Sequence, residues 1–151
     1  MATVEDLLLF ETDGSCANCG FRDGRALTTH HLEQAEPKNE AYDNKLLLCH
    51  NCHQCHHQGK GPTAEELSLI KRRLIIKTLT MPGLNALKEA YRRSMVAAMP
   101  FLVNHLVEMG YLEYQDWISS ETSDQGDEVI AQAKYTISET GRRLLEKWKI
   151  K

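Results

Sequence analysis

Apolar positions recur along this chain in two rhythms, one of period two and one of helical spacing. In the first third two short segments read as strands, over 26–32 and 45–48, the second leading directly into Cys49. A helix is expected from the second of these, carrying His53 and His57 four residues apart on one face. Gly59-Lys60-Gly61-Pro62 then stops it, and Thr63-x-x-Glu66 reads as a capping box that opens the next helix. That helix, over 65–78, places Leu67, Ile70 and Leu74 on one face. Lys71, Arg72 and Lys77 fall elsewhere, and the Lys71-Arg72-Arg73 run reads as a solvated surface. Further helices are expected over 84–93 and from Ala97 or Pro100 to Met109, the latter with Leu102, Val103, Leu106 and Met109 at helical spacing and Gly110 at its end. Two strands follow, 111–118 and 129–137, and Ser138 caps a final helix that turns Leu144, Leu145 and Trp148 inward.

Charge changes this picture in one respect. The 151 residues carry 18 Lys and Arg against 21 Asp and Glu, a formal charge of −3. This excludes a uniformly basic protein that coats nucleic acid by bulk charge. The charge is uneven, however. Residues 1–62 are net acidic, 63–110 net basic and 111–151 net acidic again, with four acids and no base between Ser119 and Glu128. Apolar runs such as 7–10 are too short to cross a bilayer, and no secretory signal is visible at the N-terminus.

Cysteine and histidine supply the candidate chemistry. All five cysteines and six of the seven histidines lie between residues 16 and 57. An odd number of cysteines argues for metal binding in a reducing compartment, hence a cytoplasmic location, over a disulfide framework. Cys16-x-x-Cys19-Gly20 and Cys49-x-x-Cys52, separated by 29 residues, form two knuckle-like pairs that together complete a closed four-sulfur zinc site. Such a site is chiefly structural, because a module of about 60 residues buries too little core to be secure alone. His30 and His31 are neighbours on a strand and point to opposite sides, so they cannot share one task. One of them can join His53 and His57 on a second metal ion while the other acts as a base.

At these residues the segment from Cys16 to His57 resembles the zinc-stabilised HNH endonucleases, a branch of the ββα-metal nucleases. The likeness rests on Cys16-x-x-Cys19, on Leu27-x-x-His30-His31-Leu32, and on Asn44 ahead of Leu46-Leu47-Leu48-Cys49-x-x-Cys52-His53-x-x-x-His57. It implies that His30, His53 and His57 hold a catalytic divalent ion and that His31 is the general base. Asn44 would hold the hairpin loop and the base in place, and the substrate class would be DNA. The catalytic ion would be Mg²⁺, Mn²⁺, Ni²⁺ or Zn²⁺, with Zn²⁺ in the structural site. Cys52-x-x-Cys55-His56 copies the same local pattern three residues on, but places Lys60 where a neutral ligand is needed. The register with Cys49, Cys52, His53 and His57 is therefore preferred, leaving His50, Cys55 and His56 unassigned. The loop after His31 departs from the pattern, because Glu33, Glu36, Glu40 and Asp43 make it acidic.

The remainder resembles the winged helix-turn-helix domains of bacterial regulators. The residues that carry this are Leu102-Val103-Asn104-His105-Leu106-Val107-Glu108-Met109-Gly110-Tyr111-Leu112 and, after a hairpin, Tyr135-Thr136-Ile137-Ser138-Glu139-Thr140-Gly141-Arg142. The resemblance implies that the third helix enters the major groove, with Asn104 and His105 facing bases and Lys88, Arg92 and Arg93 near phosphate. It also admits a homodimer through this domain. The acidic hairpin tip departs from the family, since four carboxylates without a base should avoid DNA, and a wing used for protein contact is an alternative. The expectation is thus an α+β chain: a small treble-clef-like ββα-metal module over 1–62, then a winged helix-turn-helix domain over 63–151. Its expected function is metal-dependent cleavage of DNA, without membrane association. Competing readings are a non-catalytic DNA-binding transcriptional regulator with a structural zinc module, and an adaptor that uses the acidic wing.

Overall fold

The computed structural model describes residues 3–151, apart from the side chain of Ile130. Among these residues the fold is α+β, with six α-helices and two small antiparallel sheets. By its internal contacts the chain divides into two units, Ala2–Thr78 and Leu79–Lys151.

The first unit opens with α1 (Val4–Thr12), which the apolar pattern did not announce. Its start is set by a capping box between Thr3 and Asp6, and Asp13 in the left-handed region ends it. The strands β1 (Leu27–His31) and β2 (Lys45–Cys49) pair antiparallel, with His30 opposite Leu46 and His31 opposite Lys45. Every residue of β2 is buried. The helix α2 (His50–His57) begins immediately after it, with Cys49 as its N-cap. Gly61 folds so tightly back on α2 that an added Cβ would lie 2.7 Å from Cys55 Cβ.

The next helix, α3 (Ala64–Leu79), starts at the expected capping box, where Glu66 N donates to Thr63 Oγ1 at 3.2 Å and Thr63 N to Glu66 Oε2 at 2.7 Å. Leu67 is buried with Cys16, Leu46, Leu48, Cys49 and Cys52, and Ile70 and Leu74 pack against that cluster. This burial is why the division falls after Thr78 and not at the Gly-Pro segment before Thr63.

One residue of α3 corrects the expectation of a solvated basic face. Lys71 is fully buried, and its Nζ lies 2.9 Å from both carboxylate oxygens of Glu11, which is also buried. The ammonium stands 3.7 Å from the centroid of the Tyr42 ring. The Tyr42 hydroxyl donates to Glu11 and lies 3.2 Å from Thr78 Oγ1. Burial pushes Lys71 down to about 8 despite the opposing pull of Glu11. A helical wheel cannot show this, because the partner carboxylate lies sixty residues away in α1.

The second unit contains α4 (Met81–Arg93), β3 (Met95–Ala98), α5 (Pro100–Glu108), β4 (Leu112–Thr122), β5 (Glu128–Ile137) and α6 (Glu139–Lys147). Its sheet has the order β3-β5-β4. The buried core includes Leu84, Leu87, Val103, Leu106, Tyr135, Leu144 and Leu145. As expected, Ser138 caps α6, accepting from Gly141 N at 3.0 Å. The strand β3 was not expected. Ser94, at φ +66°, ends α4, and β3 then pairs with β5, so a strand stands where a helix-turn-helix would have a turn. The acidic stretch forms the far end of the β4–β5 hairpin, where Ser123 N donates to Asp127 O at 2.8 Å. No helix among the described residues is long and apolar enough to cross a membrane.

The Glu11–Lys71 pair yields a stability prediction. Glu11→Gln leaves a buried ammonium without its counter-charge and should destabilise the first unit by about 3–5 kcal/mol in urea denaturation. Combining Glu11→Leu with Lys71→Met removes both charges and should recover most of that loss.

Candidate metal centre

The sulfur cluster is assembled from a loop and the β2–α2 junction. Gly20, at φ +75°, closes the first knuckle, with Gly20 N donating to Cys16 O at 2.8 Å and Cys16 N to Phe21 O at 2.9 Å. Ala17 N donates to Leu47 O at 2.9 Å and so ties that knuckle to β2. The second knuckle uses the start of α2, where Cys52 N donates to Cys49 Sγ at 3.4 Å. The sulfurs of Cys16, Cys19, Cys49 and Cys52 all lie within 4.8 Å of one another. Cys19 Sγ and Cys49 Sγ are 3.7 Å apart. Two thiolates on a tetrahedral zinc ion, with Zn–S near 2.3 Å, stand about 3.8 Å apart, so the spacing suits that ion. Asn18 Nδ2 donates to Cys52 Sγ at 3.3 Å, an outer contact of the kind that orients metal ligands. Cys55 is outside the cluster, its sulfur 3.8 Å from Asn51 Oδ1. The four-cysteine set is therefore the one the geometry gathers.

Electrostatics within the cluster also favours an ion. Burial opposes ionisation of Cys16, but N–H donors from Cys19, Cys49 and Asn18 outweigh it and bring the thiol to about 7. Burial pushes the Cys52 thiol up to about 12. A cation among the sulfurs supplies the missing charge, since zinc is bound by thiolate.

A second group lies between β1 and α2. The ring nitrogens of His30, His53 and His57 can all be found within 4.8 Å of one another, and His53 Nε2 and His57 Nε2 are 3.2 Å apart. Two nitrogens on a tetrahedral ion at Zn–N near 2.0–2.1 Å stand about 3.3 Å apart. His30 Nδ1 is buried and has no hydrogen-bond partner, which is costly unless something else satisfies it. Burial, followed by the neighbouring imidazoles of His56, His53 and His57, pushes His30 down to about 4. A neutral ring with a free nitrogen is the form in which histidine binds metal. The donor set therefore fits a transition-metal ion better than magnesium.

The hairpin places the other expected residues. Asn44 is fully buried: its Oδ1 accepts from Glu33 N at 2.9 Å, and its Nδ2 donates to Asn39 O at 2.8 Å. It thereby pins both ends of the loop that follows β1. His31 sits across β1 and β2 from Lys45, and its Nε2 is 3.0 Å from Glu40 Oε1. In the second unit, Lys88 is half-buried on α4, and Arg92 and Arg93 are exposed at its end, with Arg93 Nε 2.5 Å from Glu89 Oε1. Asn104 is exposed on α5. His105 is half-buried, and its Nε2 is 2.9 Å from Leu79 O, so that nitrogen is already engaged within the unit.

Sequence reasoning passed over two participants. His56 lies three residues after His53, and its ring centroid is 4.8 Å from that of His30, nearer than either assigned partner on α2. Its Nδ1 is 2.6 Å from Pro62 O. The i, i+3 spacing was the available signal. Glu40 appeared only as part of an acidic loop, and its contact with His31 has no local sequence signature.

The two sites should separate experimentally. Cys49→Ser should abolish stoichiometric zinc binding and the folded circular-dichroism spectrum, whereas Cys55→Ser should leave both intact. His57→Ala should retain the folded spectrum and the sulfur-bound ion while weakening a second ion, read by Co²⁺ absorption. No protein-family model matches the chain, and searches of curated proteins and of solved structures return no match, so these two side-chain clusters carry the functional argument themselves.

Proposed function

We propose that this chain is a metal-dependent DNA endonuclease of the HNH type, with a C-terminal winged-helix-like unit that engages DNA. The observation that carries the reading is that ring nitrogens of His30, His53 and His57 converge and that His30 Nδ1 is buried without a hydrogen-bond partner, with His31 next in the chain. The separate sulfur cluster supports it, because a staple already present leaves the imidazoles available for other chemistry.

His30, His53 and His57 would hold a divalent ion, which supplies positive charge beside the phosphate and the departing 3′ oxygen. Neutral His31 accepts a proton from water as the water oxygen bonds to phosphorus. The bond from phosphorus to the 3′ oxygen breaks, and that oxygen takes a proton from solvent. Asn44 acts at a distance from the reacting atoms, holding the loop ends that frame His31. Arg92, exposed at the end of α4, and Asn104, exposed on α5, would meet a phosphate and a base respectively.

Supercoiled plasmid tests this reading. After chelation and addition of Mg²⁺, Mn²⁺, Ni²⁺ or Zn²⁺ in turn, at least one ion should restore nicking, and His31→Ala should lower the rate by about 10²–10⁴-fold. Equal cleavage by mutant and wild type would remove His31 from the chemistry. Binding without cleavage under every ion would favour the non-catalytic regulator.

A further inference from the structure

We propose that Glu40 is a positioning residue for His31, fixing which imidazole nitrogen is free to act, and that Lys45 holds Glu40 in that role. The inference rests on the nuclease reading for its catalytic consequence, but the contact itself is independent of it.

Glu40 Oε1 lies 3.0 Å from His31 Nε2, and Glu40 Oε2 lies 2.6 Å from Lys45 Nζ. The hydrogen bond from Lys45 holds the Glu40 carboxyl below its usual range, so the group is an ionised acceptor. A carboxylate of this kind cannot donate, so the hydrogen in the contact must belong to Nε2 of His31. Neutral His31 is thereby committed to the tautomer with hydrogen on Nε2 and a lone pair on Nδ1. The atom left to take a proton from water is Nδ1.

An exposed glutamate would ordinarily be too mobile to impose this, and the Glu40 side chain is 62% exposed. Three features hold it. Lys45, only 8% exposed at its side chain, faces His31 across the hairpin, so the carboxylate bridges a cross-strand pair. Asn44 Nδ2 fixes the carbonyl of Asn39, the residue before Glu40. Ala41 N donates to Asn39 Oδ1 at 3.0 Å, and Asn44 N to Ala41 O at 3.0 Å, securing the residue after it. The acidic loop thus contributes one carboxylate already paired with a lysine, and this carboxylate contacts His31.

The test uses the full chain, its metal sites loaded with diamagnetic Zn²⁺ for spectroscopy, and compares wild type with Glu40→Ala, Glu40→Gln and Glu40→Asp. Nitrogen-15 NMR of the His31 ring should show one tautomer, hydrogen on Nε2, in the wild type, and a mixture in Glu40→Ala. Glu40→Gln, which keeps an oxygen acceptor, should retain the tautomer in large part, whereas the shorter Glu40→Asp should not. With plasmid and the activating ion, kcat for Glu40→Ala should fall by about 10–100-fold with little rise in KM, a loss of the size that follows removal of an outer contact from a metal-bound histidine. If Glu40 acted only by repelling DNA, KM would fall in Glu40→Ala and kcat would hold, and the proposal would be overturned. An unchanged His31 tautomer in Glu40→Ala overturns it as well. Should the wild type cleave nothing, the nuclease reading fails on that result alone. The NMR comparison then still decides whether Glu40 orients His31.

Discussion

The residue on which the first unit turns is Cys49, which serves at once as the end of β2, the N-cap of α2 and a sulfur of the four-cysteine cluster. Every residue of β2 is buried, so a shift of the strand must repack both of its faces, and a helix that begins on its last residue inherits that constraint. The direction in which α2 leaves the sheet is therefore set at Cys49, where β2 ends and α2 begins. His53 and His57 meet His30 only because α2 leaves in that direction. The sulfur and imidazole clusters thus share α2, and the β2–α2 junction positions both.

A second constraint comes from the interior, where the Glu11 carboxylate meets Lys71 and Tyr42 in full burial. Buried ion pairs add little net stability over an apolar alternative, but a single mispairing is costly, so they favour one arrangement over its neighbours. Here the pair joins α1 to α3, with the Tyr42 turn between them. That turn ends on Asn44, whose amide closes the loop beside His31. Packing around Glu11 thus bears on where His31 is presented.

How much of this could be read in advance follows from the range of the interactions. The knuckles, the paired strands, the α3 capping box and the Ser138 cap are local patterns, and each appears where its residues indicated. The spacing of Cys49, Cys52, His53 and His57 also favoured one register over the competing one, and the sulfur cluster agrees. What escaped was long-range or weakly patterned. The fate of Lys71 depends on a carboxylate in α1, and β3 is a four-residue edge strand whose partner lies more than thirty residues on. α1 leaves Leu9 and Phe10 exposed, so its apolar residues do not trace a single buried stripe. Glu40 reaches His31 only because the loop between them is closed by Asn44.

The tight passage at Gly61 has a mechanical consequence. The backbone there runs against Cys55 and His56 with no room for a side chain, and Pro62 returns its carbonyl to His56. Only a short span then separates this clamp from Leu67, which is seated among the cysteines. A slip of α2 along its own axis would drag the start of α3 with it and lift Leu67 from its seat. The helix bearing His53, His56 and His57 is accordingly tethered at both ends, and its imidazoles have little slack with which to shift along the helix axis.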